Sequence, residues 1–186
     1  MESHTAVQTA GEHFVLFRLH EQGMLATMAP PGSPTVDVLV LGSDEHIVAT
    51  LYVKIRTRGA DKGWTMSAKH EQIRAPRCFY AFVDREVPKG MMPVTYIIPS
   101  TEVANMLAAS HAAWLAIPNH RDRPVRRVRP THPFKVPGYP DGWMEQYREG
   151  WSRLKAAVEQ APQPLNNGEF GGTTYAPALL PAPPGT

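Results

Sequence analysis

Three residues of the chain combine types and placements that suit chemistry on a phosphate: Glu12, Asp37 and Lys54. Lys54 lies in the run LYVKIRTR, Leu51 to Arg58, where side chains alternate as on a strand and an ammonium falls mid-strand. Asp37 stands between valines in VDVLV, where strand propensity and burial both disfavour a carboxylate without a partner. Lys54 or a metal ion is the natural partner. Carboxylates hold a hard cation such as Mg²⁺ or Mn²⁺ through oxygen, and that cation polarises a phosphodiester. A lysine beside them orients or activates the attacking water and stabilises the charge gathering on phosphorus. Two of the three also have ordinary readings. Lys54 could carry its ammonium to water from a sheet end, and Glu12 could serve a helix N-terminus.

The elements that must position these residues are readable from periodicity. A helix is expected from about His4 to Gln22, with Phe14, Leu16, Phe17, Leu19 and His20 as its stripe, Gly11 loosening its start and Gly23 as its stop. Strands follow in MLATMAP, in Val36 to Gly42, and in IVATLYVKIRTR, with a hairpin turn near Ser43 to Glu45. In the long strand Ile47, Ala49, Leu51, Val53 and Ile55 share one face, and Val48, Thr50, Tyr52, Lys54 and Arg56 share the other. That phase suits a central strand covered on both sides, with a polar cleft at one end. The hairpin sets Asp37 opposite Thr50 to Lys54.

WTMS then reads as a short strand and Ser67 as the cap of a brief helix ended by Pro76. CFYAFVD and VTYIIPS read as buried strands, and a helix capped by Ser100 or Thr101 runs toward Pro118. Residues 1–117 thus form a core domain of mixed α/β type. Residues 118–141 are an Arg/Pro-rich connection with no regular element expected. Residues 142–161 are expected to be one helix packing Trp143, Tyr147, Trp151 and Leu154 on the core, and 162–186 an extended or disordered tail.

Composition excludes more than it identifies. Apolar content of 42% is that of a soluble globular domain, and the charge of +2 is too small to announce a polyanion partner by itself. The single cysteine, Cys78, rules out an internal disulfide framework and reads as a small buried hydrophobe. No apolar run approaches the ~20 residues of a membrane span, and the N-terminus lacks the pattern of a signal peptide, so a cytoplasmic placement without membrane contact is expected. No Gly-rich phosphate loop and no GxSxG elbow points to a small-molecule enzyme.

Taken in order, G-E-H-F, V-D-V-L-V and V-K-I-R resemble the core of the PD-(D/E)XK nuclease superfamily, most of all small stand-alone members related to archaeal Holliday junction resolvases. The resemblance spans about residues 10–117. It implies a restriction-endonuclease-like αβββαβ core: a mixed central sheet flanked by helices. It also implies Mg²⁺ or Mn²⁺ as cofactor, Glu12 and Asp37 as metal ligands, and Lys54 as the catalytic lysine. The departure is Tyr52, where the family pattern has Glu, Asp or Gln; Glu71 and Asp61 are candidate stand-ins. A neutral phenol is a poor ligand for Mg²⁺. The resemblance therefore leaves two functions open: a Mg²⁺-dependent nuclease-like protein acting on DNA or RNA, or a non-catalytic module that binds nucleic acid or protein.

Arg56 and Arg58 extend the basic face beyond Lys54, and Arg126 and Arg127 lie in an arginine cluster with Arg121, Arg123 and Arg129. The functional reading of these is contact with a nucleic-acid backbone. The ordinary reading is a solvated loop, or pairing with Asp122, Glu145 and Glu149. The aromatic stripe is read first as core or as a contact in a homodimer, with base stacking the lesser alternative. His70 and His111 are read as structural.

Overall fold

The computed structural model describes residues 4–30, 36–43, 45–56, 63–85, 87–88 and 90–160. Its centre is β3 (Ile47–Arg56), and the expected phase of that strand holds from Ala49 onward; before it, a bulge opposite Val40 and Leu41 sends Val48 into the same core as Ala49. Leu51 and Val53 are buried on one side, and Tyr52 on the other. With β1 (Leu25–Met28), β2 (Val38–Leu41), β5 (Cys78–Asp84) and β6 (Val94–Pro99) it forms a five-stranded sheet in the order β1-β2-β3-β5-β6. β3 and β5 are parallel and the other neighbours antiparallel. All seven residues of β5 are buried, as a strand covered on both faces requires. β4 (Trp64–Ser67) and β7 (Val125–Val128) make a separate two-stranded ribbon, followed after β4 by a 3₁₀ turn at Ala68–Glu71. The fold is α/β with a mixed central sheet flanked by helices, as expected.

Helix α1 (His4–Glu21) covers one face. Its buried line is Gly11, Val15 and Leu19, spaced four apart, while Phe17 and His20 of the expected stripe are exposed. Val15 and Leu19 are fully buried, each contributing about 1.5–3 kcal/mol. Gly11 does not loosen the start; the helix runs straight through it. A Cβ there would stand 3.0 Å from Ile55 Cδ1 and 3.1 Å from Ile55 Cβ, so glycine lets α1 press against β3. That close approach carries the side chains on either side of Gly11 to the strand.

Helix α2 (Ser100–Leu115) covers the other face with Val103, Met106 and Leu107. Two expectations fail beyond it. The arginine-rich connection does contain a strand, β7, hidden in sequence because one of its inward positions is Arg126. The expected single helix over 142–161 is divided. A 3₁₀ turn at Glu145–Tyr147 precedes α3 (Trp151–Glu159), and Glu149 between them has φ 47, outside any helix. The reason is the sheet edge. Arg148 bridges to Tyr96, and Glu149 exchanges bonds with Thr95, its N–H donating to the carbonyl at 2.7 Å and its Oε1 accepting the N–H at 2.7 Å. The segment is a strap over β6, closing an edge that would otherwise be open. Trp143 and Tyr147 consequently pack on the α2 face, and Trp151 and Leu154 on the α1 face.

No helix among the described residues is long and apolar enough to cross a membrane. Cys78 is buried, and burial pushes its thiol up from the ordinary range. Asp61 and Arg58, like residues 161–186, lie outside the described residues.

Candidate functional site

The site begins with a gap in the sheet. β2 pairs with β3 from Ile47 to Leu51, and among the described residues the same edge of β3 has no strand partner farther on. In an extended strand the N–H and C=O of one residue point to the same edge. At Val53 both are taken by side chains. Asp37, just ahead of β2, accepts the Val53 N–H through Oδ2 at 2.6 Å, and Gln8 of α1 donates from Nε2 to the Val53 carbonyl at 3.1 Å. Gln8 Nε2 also donates to Glu12 Oε1 at 2.8 Å, an i,i+4 contact on the helix face beside Gly11. The N–H and C=O of one β3 residue, Val53, thereby gather Asp37, Gln8 and Glu12.

Electrostatics agree with that gathering. Burial pushes the Asp37 carboxyl up from its ordinary value and the nearby Glu12 charge adds to the rise; the Val53 N–H and Lys54 oppose it. Lys54 is half-buried, and among the described residues it makes no hydrogen bond or ion pair. Its field instead reaches Asp37 and His70. The structure brings Glu12, Asp37 and Lys54 into one electrostatic neighbourhood.

The wall behind Lys54 is aromatic. Tyr52 stacks on Tyr80 at 4.8 Å between ring centroids, and Tyr80 stacks on Phe82 at 5.6 Å. His70 meets the edge of Tyr52 at 5.6 Å, and its Nδ1 lies 2.7 Å from the Tyr80 hydroxyl. Burial, with the Lys54 and Lys69 charges, drives the His70 imidazole down to about 4. Burial first, then neighbouring groups including Asp37, raises both phenols. With His70 neutral and Tyr80 un-ionised, the two groups share one hydrogen bond whose direction is set by the imidazole tautomer. Tyr52 is thus built into the core rather than presented as a ligand.

Of the stand-in acids, Glu71 does not supply what Tyr52 lacks: it is paired with the Arg126 guanidinium and lies 3.7 Å from His111 Nδ1. Among the described residues no group of three or more His, Cys, Asp or Glu side chains could hold a metal ion. Among the described residues two carboxylates, Asp37 and Glu12, stand at the gap, and their oxygens are the donor type a hard divalent cation takes.

The expected backbone-binding arginines divide. Arg56 pairs with Asp84 across β5 and lies 4.5 Å over the Trp64 ring. Arg126 is buried, donating to Glu71 and to the Arg123 carbonyl, with His111 Nδ1 at 2.9 Å and Asp122 at 3.7 Å. Both guanidiniums are committed inside the molecule. Arg127 is half-buried and donates to Thr65 Oγ1 at 2.9 Å. Trp114 is sandwiched between Arg123, 3.7 Å over its ring, and His120, 3.7 Å away. Trp143, Tyr147 and Trp151 are buried, which removes them as a base-stacking platform. Gln8 is the residue that sequence reading missed; its signal was the i,i+4 spacing to Glu12 around a helical glycine.

No protein-family model matches the chain, and no curated protein sequence matches it. Among solved structures, it is similar to a bacterial homing endonuclease, I-Ssp6803I, at 12% identity and a TM-score of 0.48, over 86% of this chain and 97% of that one. Likeness at that level says nothing of chemistry, which rests on the residues at the gap.

Proposed function

We propose that this chain is a divalent-cation-dependent, nuclease-like protein of PD-(D/E)XK type acting on nucleic-acid phosphodiesters. The observation that carries the reading is the carboxylate of Asp37, anchored on the Val53 N–H at the gap, with the charges of Lys54 and Glu12 both reaching it. Asp37 and Glu12 would hold Mg²⁺ or Mn²⁺, which when bound supplies Lewis-acid polarisation of the phosphate. Lys54, without a carboxylate partner among the described residues, is placed to stabilise charge on phosphorus and to orient the attacking water. The aromatic wall of Tyr52, Tyr80 and His70 excludes water from behind the lysine, which strengthens its field. Arg58 and Arg127 are the remaining backbone-contact candidates, and a homodimer fits a site that reads duplexes.

A second reading, a non-catalytic nucleic-acid or protein-binding module on the same scaffold, is favoured by Tyr52 being stacked into the core where the family pattern has an oxygen ligand. Incubating the protein with branched, single-stranded and duplex DNA and with RNA, in Mg²⁺ and in Mn²⁺, separates the two. Cleavage abolished by both Lys54→Ala and Asp37→Ala supports the nuclease. Cleavage that survives Lys54→Ala removes this site as its source, and binding without cleavage supports the module.

A further inference from the structure

Building on the cation-site reading above, we propose that Gln8 is a positioning residue that sets Glu12 against Asp37. The amide orientation follows from its neighbours. Nε2 lies within hydrogen-bond reach of the Glu12 carboxylate at 2.8 Å and of the Val53 carbonyl at 3.1 Å. Both can only accept, so the nitrogen must face them. A half-buried side chain that spends its donors on these two groups ties the helix acid to Val53, the same residue whose N–H fixes Asp37 at 2.6 Å. The two acids come from segments 25 residues apart in sequence, and Val53 is their common reference.

The placement matters more here than in a site with three acids. Tyr52 contributes no carboxylate and Glu71 is held by Arg126, so Glu12 is half of the described acidic donor set. A free Glu12 carboxylate would swing to water, away from the like charge of Asp37. Gln8 opposes that escape. Its role resembles that of residues that orient metal ligands without touching the metal, whose loss typically weakens metal binding by about 10–100-fold.

The test is Mn²⁺ titration by calorimetry of the intact protein, with thermal melts as a folding control. Wild type is compared with Gln8→Ala, Gln8→Met, Glu12→Gln, Asp37→Ala, and the Gln8→Met/Glu12→Gln double variant. Gln8→Met keeps the length and removes the donors, so it reports even if the alanine variant folds poorly. The expected result is Mn²⁺ binding weakened about tenfold or more by Gln8→Met, with no further loss when it is added to Glu12→Gln. Binding unchanged in Gln8→Met but lost in Asp37→Ala would overturn the role of Gln8 and leave the cation site standing. Additive losses in the double variant would show Gln8 acting other than through Glu12, and would also overturn it. A wild type that takes up no Mn²⁺ sinks the cation-site reading itself, and the role of Gln8 with it.

Discussion

The Asp37 carboxylate does for β3 what a strand backbone does elsewhere: its Oδ2 accepts the Val53 N–H at 2.6 Å, beyond the last β2–β3 pair at Leu51. The bond satisfies a backbone donor that burial would otherwise penalise. It also holds an acid against the core, and the acid is uncomfortable there.

That discomfort predicts a gain in stability on neutralising it. Burial and Glu12 raise the Asp37 carboxyl in the folded protein, so at neutral pH the folded state carries a charge it would rather shed. Asp37→Asn keeps an oxygen for the Val53 N–H and removes the charge. Urea unfolding at pH 7 is expected to show the variant more stable by about 1 kcal/mol, with cation binding lost. A raised folded pKa favours folding below the unfolded value and loses that benefit as pH rises, so the gap should shrink toward pH 4. An Asp37→Asn protein less stable than wild type at pH 7 would contradict the argument.

His70 predicts acid sensitivity of the opposite sign. Its folded value of about 4 lies below the ordinary imidazole value of 6.5, so its neutral form stabilises the fold above pH 6.5. That contribution falls as pH drops from 6.5 through about 4 and amounts to roughly 3 kcal/mol. His70→Gln should flatten the pH dependence of the urea midpoint between pH 6.5 and 4. An unchanged profile would mean that other groups carry the acid transition.

Tyr52 separates a structural role from a relict one. Its hydroxyl makes no hydrogen bond among the described residues, so Tyr52→Phe should leave stability within about 1 kcal/mol and leave Mn²⁺ affinity unchanged. Tyr52→Glu places a carboxylate beside Tyr80, His70 and Asp37, and without metal should cost about 3 kcal/mol. Adding Mn²⁺ should raise the melting temperature of Tyr52→Glu more than that of wild type, because a ligand of the folded state stabilises it by mass action. Equal shifts in both proteins would separate position 52 from the cation site.

Much of this arrangement was legible in sequence, for identifiable reasons. β3 declares itself because both of its faces are largely apolar, and Asp37 because valines flank a carboxylate. What stayed hidden depends on partners far along the chain. Arg56 and Arg126 look like phosphate contacts until Asp84 and Glu71, 28 and 55 residues away, are found beside them. β7 was masked because Arg126 takes an inward position that a pattern reading assigns to an apolar side chain. The aromatic stripe beyond Trp143 has helical spacing, but the strap over β6 breaks it at Glu149 and sends its halves to opposite faces. Gln8 was invisible because glutamine on a helix is ordinary until its amide is seen between two acceptors.

Arg126 and Arg127 are adjacent and should behave as opposites. Removing Arg126 strands Glu71, whose side chain is only 16% exposed, and takes a donor from His111 and from the Arg123 carbonyl. Breaking such a pair from one side costs about 3 kcal/mol, so Arg126→Ala should unfold at markedly lower urea. Among the described residues Arg127 gives up only its bond to Thr65, and Arg127→Ala should change stability by less than about 0.5 kcal/mol. Its effect belongs in binding instead. A lysine or arginine on a phosphate releases about one counterion, so duplex-DNA affinity measured against salt should lose about one unit of slope in Arg127→Ala, uniformly across sequences. If the slope stays at the wild-type value, Arg127 is outside the nucleic-acid path, and the basic ribbon of β4 and β7 serves the fold alone.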